Sequence, residues 1–254
     1  MRIEVAGRSH VGMKRNHNED AFLLLPDEQL YCVADGMGGH ASGEIASRIA
    51  IEELAEFYRR TSKDAELTWP FKMDRTRNYE ENRLATGIKL ANTRIYEAAN
   101  SDTNYRGMGT TIVSLHFTSE AAYVGHVGDS RAYCLRDGGL KQMTEDHSLL
   151  NDYLKAKKLT AEEIDAFPHK NVIVRALGMK DSVQVDVERL DPRDGDLFLL
   201  CSDGLSGMVS EQALVAAVAV ADDLDATCSQ LIELANNAGG NDNVTCILAR
   251  YRES

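Results

Sequence analysis

Strand and helix patterns come in blocks along this 254-residue chain, and their order restricts the fold more than any other feature. Period-two or continuous apolar runs predict strands within residues 21–34, 111–127, 131–140, 183–190, 196–201 and 244–249. Spacings of three and four predict helices from Ser42 onward, around 84–98, near 211–221 and near 225–237. Blocks of this kind favour antiparallel sheets flanked by helices, an α+β sandwich, over a doubly wound parallel sheet.

Composition indicates one globular domain covering residues 1–254, because no shift in residue usage divides the chain. The N-terminus lacks the apolar run of a signal peptide, and no stretch approaches the roughly 20 apolar residues of a membrane span. A cytoplasmic location is therefore expected. The net charge of −12 argues against nucleic-acid binding through a generally basic surface and is tolerable around bound cations.

The cysteines predict neither a disulfide framework nor a zinc site. They are odd in number, widely scattered and never arranged as a Cys-x-x-Cys pair. We expect small buried side chains in a reducing compartment. The residues are Cys32, Cys134, Cys201, Cys228 and Cys246.

Two apolar segments end in the same way, with an aspartate followed by a glycine. These are the segments ending in Asp35-Gly36 and Asp203-Gly204. A carboxylate at a strand exit suits Mg²⁺ or Mn²⁺, and a neighbouring glycine lets a backbone carbonyl come close enough to be a further oxygen ligand. Ordinary turn chemistry is the alternative, as at Asp137-Gly138.

Three further acidic clusters strengthen the metal hypothesis, because each places an aspartate at a predicted strand end. They are Asn18-Glu19-Asp20, Gly128-Asp129-Ser130-Arg131 and Gly240-Asn241-Asp242-Asn243. Carboxylates repel one another, so their clustering in a fold would require cations. We therefore expect the aspartates at these strand ends, among them Asp35, Asp203 and Asp242, to converge on a divalent-metal site.

At these residues the chain resembles a known family, the PP2C-type (PPM) metal-dependent serine/threonine protein phosphatases, in particular their compact bacterial members. Each motif alone is weak, but all of them in one order form a specific signal. The motifs are RNHNEDA (15–21), VADGMGGHASG (33–43), GMGTT (107–111), HVGDSRA (126–132), RALG (175–178), LCSDGL (200–205) and GGNDNVT (239–245).

The resemblance implies a four-layer α/β/β/α sandwich, two antiparallel sheets flanked by helix pairs, with a metal cluster in a cleft. Asp35 would bridge two Mn²⁺ or Mg²⁺ ions, the Gly36 carbonyl would bind one, and Asp203 and Asp242 would complete the other's protein ligands. Asp129 would hold a weaker third ion together with Asp203. The resemblance also implies that Glu19 and Asp20 orient metal-bound waters from the outer shell.

The implied activity is that of a phosphoric monoester hydrolase acting on phosphoserine and phosphothreonine in proteins. A water bridging the two cations would attack phosphorus directly, without a phosphoenzyme. Arg15 matches the family's phosphate-binding arginine, whose planar fork can grip two phosphate oxygens. A solvated surface arginine is the alternative. The substrates would be phosphorylated proteins, including a bacterial Ser/Thr kinase or its targets, and the chain would act as a monomer without nucleic acid or membrane.

The proton donor to the leaving alkoxide is where the sequence departs from the pattern. Many animal relatives carry a histidine directly after the Asp-Gly pair, where this chain has Met37. His40 is the obvious replacement as general acid, with a metal-bound water or a purely structural His40 as the alternatives. The other histidines are expected to be surface or satisfied core residues: His10, His17, His116, His126, His147 and His169.

Residues 145–178 match the variable flap beside the active site in this family. The flap is charged and interrupted by Pro168. Its lysines either contact the phosphorylated substrate or belong to a solvated loop: Lys155, Lys157, Lys158 and Lys170.

Two other functional classes are alternatives to an enzyme: a regulatory binding module and an acidic cation-binding protein. A regulatory binding module would be expected to lack some of the metal-ligand residues, but every expected ligand position is filled in this sequence. A cation-binding protein without catalytic activity would leave Arg15 and the flap unexplained.

Overall fold

The computed structural model describes residues 1–39, 42–64, 67–156, 164 and 172–253. The strands are β1 (Arg2–His10), β2 (Asp20–Leu25), β3 (Leu30–Met37), β4 (Gly109–Thr110), β5 (Ile112–Phe117), β6 (Ala122–Val127), β7 (Arg131–Arg136), β8 (Gly139–Gln142), β9 (Asp186–Leu190), β10 (Leu197–Cys201) and β11 (Val244–Arg252). The helices are α1 (Ser42–Lys63), α2 (Tyr79–Ser101), α3 (Leu149–Ala156), α4 (Asp203–Ser206), α5 (Glu211–Val218) and α6 (Leu224–Asn237).

These strands form two antiparallel sheets. One has the order β1-β11-β10-β7-β8, and the other has the order β2-β3-β5-β6-β9 with β4 paired to β3. Neighbours in each sheet are often distant in the sequence, as for β1 and β11. The block order of the elements predicted this antiparallel α+β arrangement, and the structure confirms it.

Three apolar clusters define four layers. Helices α1 and α2 pack on one face of the β3-containing sheet, and α5 and α6 pack on one face of the β10-containing sheet. The third cluster lies between the sheets and includes Val33, Phe117, Phe198 and Ile247. Along β3, alternate side chains enter the helix-facing and the sheet-facing clusters, which explains why the run from Leu30 is apolar throughout.

Helix α2 shows how local sequence sets an element boundary. The Asn78 side chain accepts a hydrogen bond from the Glu81 backbone N–H at 2.9 Å, and the Glu81 carboxylate accepts one from the Asn78 N–H at 2.7 Å. This capping box satisfies two backbone donors at the helix start. Helix α2 therefore begins at Tyr79, upstream of the apolar periodicity that indicated it.

Two strand predictions were incomplete. No strand was predicted at residues 2–10, whereas β1 pairs along its whole length with β11. The segment at 30–34 was expected to stop at Asp35-Gly36, but β3 continues to Met37 because Gly36 and Met37 pair with β4. Asp35 is therefore held within a strand and not on a free turn.

The five cysteines are free and buried, as expected. Among the described helices, none is long and apolar enough to cross a membrane. Part of the predicted flap, residues 157–163 and 165–171, lies outside the described residues, as does His40.

Candidate metal centre

Five aspartates from different elements face one another in and beside a single cleft. Asp129, Asp203 and Asp242 line a cavity of about 370 Å³. Asp35 on β3 is the direct cross-strand partner of Asp20 on β2. Burial raises the pKa of Asp35, and the charges of Asp20, Asp203, Asp129 and Asp242 raise it further. The three aspartates singled out in the sequence are thus brought together.

Burial and mutual repulsion disfavour the charged form of these carboxylates. Loss of hydration raises the pKa of Asp35 well above its ordinary value, and the charges of Asp20 and Asp203 raise it further. The pKa of Asp203 is raised for the same reasons, first by burial and then by Asp242. A bound cation would reverse both effects, because it favours the ionised carboxylate.

The carboxylates of Asp20 and Asp129 behave similarly. Burial raises the pKa of each to about 7, and Asp203 adds to the shift in both cases. The Oδ2 atom of Asp20 accepts a hydrogen bond from Ser202 at 2.8 Å. The Oδ1 atoms of Asp20 and Asp129 are buried without a hydrogen-bond partner in the part of the chain described. Such orphaned oxygens fit hard divalent cations, which prefer oxygen ligands.

Two threonines of the GMGTT motif hold the backbone of Asp35. The Thr111 hydroxyl accepts from the Asp35 N–H at 3.1 Å, and the Asp35 carbonyl accepts from the Thr110 hydroxyl at 2.8 Å and from the Thr111 N–H at 2.9 Å. The Asp35 main chain is therefore satisfied by protein. Its side chain is free to face the other carboxylates.

The glycines that follow Asp35 and Asp203 are required by close backbone contacts. A Cβ on Gly36 would lie 2.1 Å from the Gly43 carbonyl oxygen, and a Cβ on Gly204 would lie 1.9 Å from the Asn243 carbonyl oxygen. Neither position can carry a side chain without moving the backbone. The Asp-Gly dipeptides therefore serve close packing at the cleft.

Glu19 is bound by the N-terminus of α1 and by the last acidic cluster. The Gly43 N–H donates to Glu19 Oε1 at 3.1 Å, where the helix dipole favours an anion. The Glu19 N–H donates to Asn243 Oδ1 at 2.8 Å, and Asn243 Nδ2 donates to the carbonyls of Val11 and His17. Asn243 thereby joins three segments around the cleft.

Arg15 lies at the rim of the cleft. Its Nη2 donates to Asp242 Oδ2 at 2.7 Å, and half of its side-chain surface is exposed. The bond to Asp242 raises the pKa of Arg15, so the guanidinium stays charged. A guanidinium has five N–H donors, so one that contacts Asp242 can also bind phosphate oxygens.

A second group of potential metal ligands lies outside this set. Ligand atoms of His126, His147 and Asp186 lie within 4.8 Å of one another. However, His147 Nδ1 accepts from the Gly128 N–H at 3.0 Å, so its Nε2 carries the proton and faces Asp186 Oδ2 at 2.8 Å. Arg175 Nη1 lies 3.0 Å from that Nε2 and 3.1 Å from that oxygen. A protonated nitrogen beside a guanidinium indicates a hydrogen-bonded network and not a metal site.

Several polar residues that hydrogen-bond to the acidic residues of the centre were not predicted from the sequence. The motifs themselves could have indicated them, because Thr111, Ser202 and Asn243 lie inside the motifs used for the family resemblance.

His147 was expected to be a surface or satisfied core residue. It is buried, and burial lowers its pKa, but it contacts the loop that bears Asp129. In the flap, Lys155 pairs with Glu145 at 3.0 Å, and Lys157, Lys158 and Lys170 lie outside the described residues.

Comparison with known proteins identifies the family to which the chain belongs. The protein phosphatase 2C family profile matches residues 6–249. Protein phosphatase PhpP of Streptococcus pneumoniae is 36% identical over 254 residues, covering 99% of this chain and 98% of PhpP. The crystal structure of the Mycobacterium tuberculosis serine/threonine phosphatase PstP/Ppp superposes with a TM-score of 0.86 at 33% identity, covering 99% of each chain. The PstP catalytic domain in complex with two manganese ions gives a TM-score of 0.80 at 32% identity, also covering 99% of each chain.

The fold and the aspartate cleft define a metal-dependent phosphoprotein phosphatase. The chain belongs to the protein phosphatase 2C family and is a serine/threonine phosphatase of bacterial type.

Proposed function

We propose that Asp35, the Gly36 carbonyl, Asp203 and Asp242 hold two Mn²⁺ or Mg²⁺ ions. The observation that carries this assignment is the convergence of these carboxylates on one cleft, where loss of hydration and then the neighbouring carboxylate charges raise the pKa of Asp35 and of Asp203. Such a site is unfavourable unless cations compensate it. Asp129, with its orphaned Oδ1, joins Asp203 at a third and weaker position. When bound, the paired cations supply a water of lowered pKa and neutralise charge on the phosphate.

The surrounding residues orient the reacting groups. Asp20 and Glu19 stand behind the ligand positions and accept hydrogen bonds from Ser202 and the Gly43 N–H respectively. Their free oxygens can orient waters in the cleft. Arg15 binds the phosphate at the rim, where its charge offsets that of the phosphate oxygens as the leaving group departs.

The substrates we propose are phosphoserine and phosphothreonine proteins, including a bacterial Ser/Thr kinase and its targets. The chain acts as one catalytic domain over residues 1–254, with the flap at 145–178 beside the cleft, and as a monomer. Five free, buried cysteines are consistent with a reducing compartment such as the cytoplasm. A purely regulatory binding module is disfavoured, because the sequence retains an oxygen ligand at each position that the family's metal sites need.

The metal assignment is tested by hydrolysis of p-nitrophenyl phosphate. The purified chain is expected to turn over this substrate with Mn²⁺ and to fall to background when EDTA is in excess, because the carboxylates alone cannot activate water. Adding excess Mn²⁺ after EDTA should restore the rate. Activity that persists in EDTA, or a background rate with Mn²⁺, would contradict the assignment.

His40 is proposed as the general acid that protonates the serine or threonine oxygen. The expected result for His40→Ala is a loss on the order of 100-fold with a phosphothreonine peptide and a much smaller loss with p-nitrophenyl phosphate. The reason is that an aryl oxide leaves without needing a proton. Initial rates on both substrates measure the difference.

A matched control for this comparison is His17→Ala, which removes an exposed histidine from the segment next to the cleft. It should leave the ratio of the two rates unchanged. Equal losses on both substrates for His40→Ala would show that the proton comes from elsewhere.

A further inference from the structure

One residue of the flap base binds both backbone polar groups of Gly128, the residue that precedes Asp129. The Gly128 N–H donates to His147 Nδ1 at 3.0 Å, and the His147 N–H donates to the Gly128 carbonyl at 3.0 Å. Gly128 has a φ of 111°, and a Cβ there would lie 2.6 Å from Thr111. The conformation of this loop therefore depends on a glycine held by His147.

The orientation of the His147 ring is fixed from three sides. Its protonated Nε2 donates to Asp186 Oδ2, which Arg175 also contacts. The His126 ring stacks on it with centroids 4.6 Å apart and planes inclined by 17°, and His126 Nε2 lies 2.9 Å from the Glu145 carbonyl oxygen. These contacts determine the tautomer, so that Nδ1 is the acceptor available to Gly128.

The same loop is held on its other side by the neighbouring flap residue. Arg131 Nε donates to Asp146 Oδ1 at 2.9 Å, and Arg131 Nη2 donates to Asp146 Oδ2 at 2.6 Å. Asp129 lies between the two anchors, at Gly128 and at Arg131. Its Oδ1 has no protein partner among the described residues, so the backbone sets where that oxygen points.

We propose that His147 is a positioning residue for Asp129, acting through the hydrogen bond from the Gly128 N–H to Nδ1. This bond sets the affinity of the cleft for the cation shared by Asp129 and Asp203, and it couples that affinity to the base of the flap. The proposal depends on the proposed function, because it takes Asp129 as a metal ligand.

Two amide substitutions separate the two sides of the imidazole. In His147→Asn the side-chain oxygen can take the place of Nδ1 and accept from Gly128, but nothing reaches Asp186. In His147→Gln the amide can take the place of Nε2 and reach Asp186, but no acceptor remains for Gly128. The backbone bond from the His147 position to Gly128 is retained in both.

The experiment titrates the metal-stripped 254-residue chain and each of its variants with Mn²⁺. Calorimetry measures the heat of binding, and electron paramagnetic resonance measures the concentration of free Mn²⁺. The wild type should bind three ions, one of them weakly, and Asp129→Asn should lose that weak ion. We expect His147→Gln to weaken the same ion at least about 10-fold. His147→Asn should stay within about threefold of wild type, by the same scale for outer-shell contacts.

The control is His116→Gln, which removes a buried histidine from β5, where it contacts Glu80 and the Gln29 carbonyl. It should lower the melting temperature without changing Mn²⁺ binding. Wild-type binding by His147→Gln, equal losses in both amide variants, or loss of the two tighter ions would each overturn the positioning role. If Asp129→Asn keeps the weak ion, or the wild type binds only two, the assignment of Asp129 itself fails.

Discussion

Asp203→Asn is expected to reduce Mn²⁺-dependent hydrolysis of p-nitrophenyl phosphate by more than about 100-fold. Asp203 belongs to one of the two tighter proposed sites and also to the weaker third one, and it faces Asp35, Asp129 and Asp242 in the cleft. Loss of an outer-shell partner alone typically costs about 10- to 100-fold in metal affinity or activity, and a direct ligand should cost more. The amide keeps the size of the side chain but removes its charge.

The measurement is the rate at saturating substrate over a range of Mn²⁺ concentrations. A matched control is Asp222→Asn, which neutralises an exposed aspartate before α6 and should leave the rate within about twofold of wild type, as surface substitutions usually do. The metal assignment predicts that higher Mn²⁺ recovers part of the loss if binding alone is weakened. An Asp203→Asn enzyme retaining a tenth of the wild-type rate at the Mn²⁺ concentration that just saturates the wild type would contradict it.

The second large effect is on stability, and its sign depends on pH and on metal. Burial raises the pKa of Asp129 to about 7, whereas an unfolded aspartate titrates near 3.9. Below about pH 4 both states are protonated and the group costs nothing. As the pH rises towards 7 the unfolded chain ionises first, so the metal-free protein loses stability, by up to about 4 kcal/mol for a shift of about three units.

Asp129→Asn isolates this contribution in thermal unfolding experiments. Without metal, the variant should match wild type near pH 4 and be more stable above pH 7, where the wild-type carboxylate must ionise in a buried site. With saturating Mn²⁺ at pH 7.5 the order should reverse, because only the wild type gains from binding the additional cation. If the difference in melting temperature between wild type and Asp129→Asn does not change with pH, the pKa of Asp129 is not raised in the folded protein.

Much of the fold could be predicted from periodicity because the relevant interactions are local or repetitive. The spacing of apolar residues indicated α1 and α2, and the capping pair consists of Asn78, just before the second helix, and Glu81 in its first turn. β1 was missed because it is an edge strand with Gly7 and Arg8 in its interior, so its alternation is weak. The continuation of β3 to Met37 depends on pairing with β4, more than 70 residues away.

For the candidate site, the motifs indicated which residue types would act but not how they are held. Asp35 and Asp203 were evident as acidic residues at strand ends. The role of Asn243 in joining Glu19, Val11 and His17 was not evident, because it depends on contacts across more than 200 positions. Likewise, nothing near His147 in the sequence points to Gly128.

The sequence by itself determined the chemical groups, their order and hence the family, because ligand atoms and glycines are properties of individual positions. Only the tertiary structure decided their geometry. The cross-strand register places Asp20 opposite Asp35, and the sheet order brings Arg15 to Asp242 across 227 positions. The physical reason is that a buried carboxylate cluster is repulsive on its own. Its members are held together by packing between layers and backbone hydrogen bonds, which no local pattern encodes.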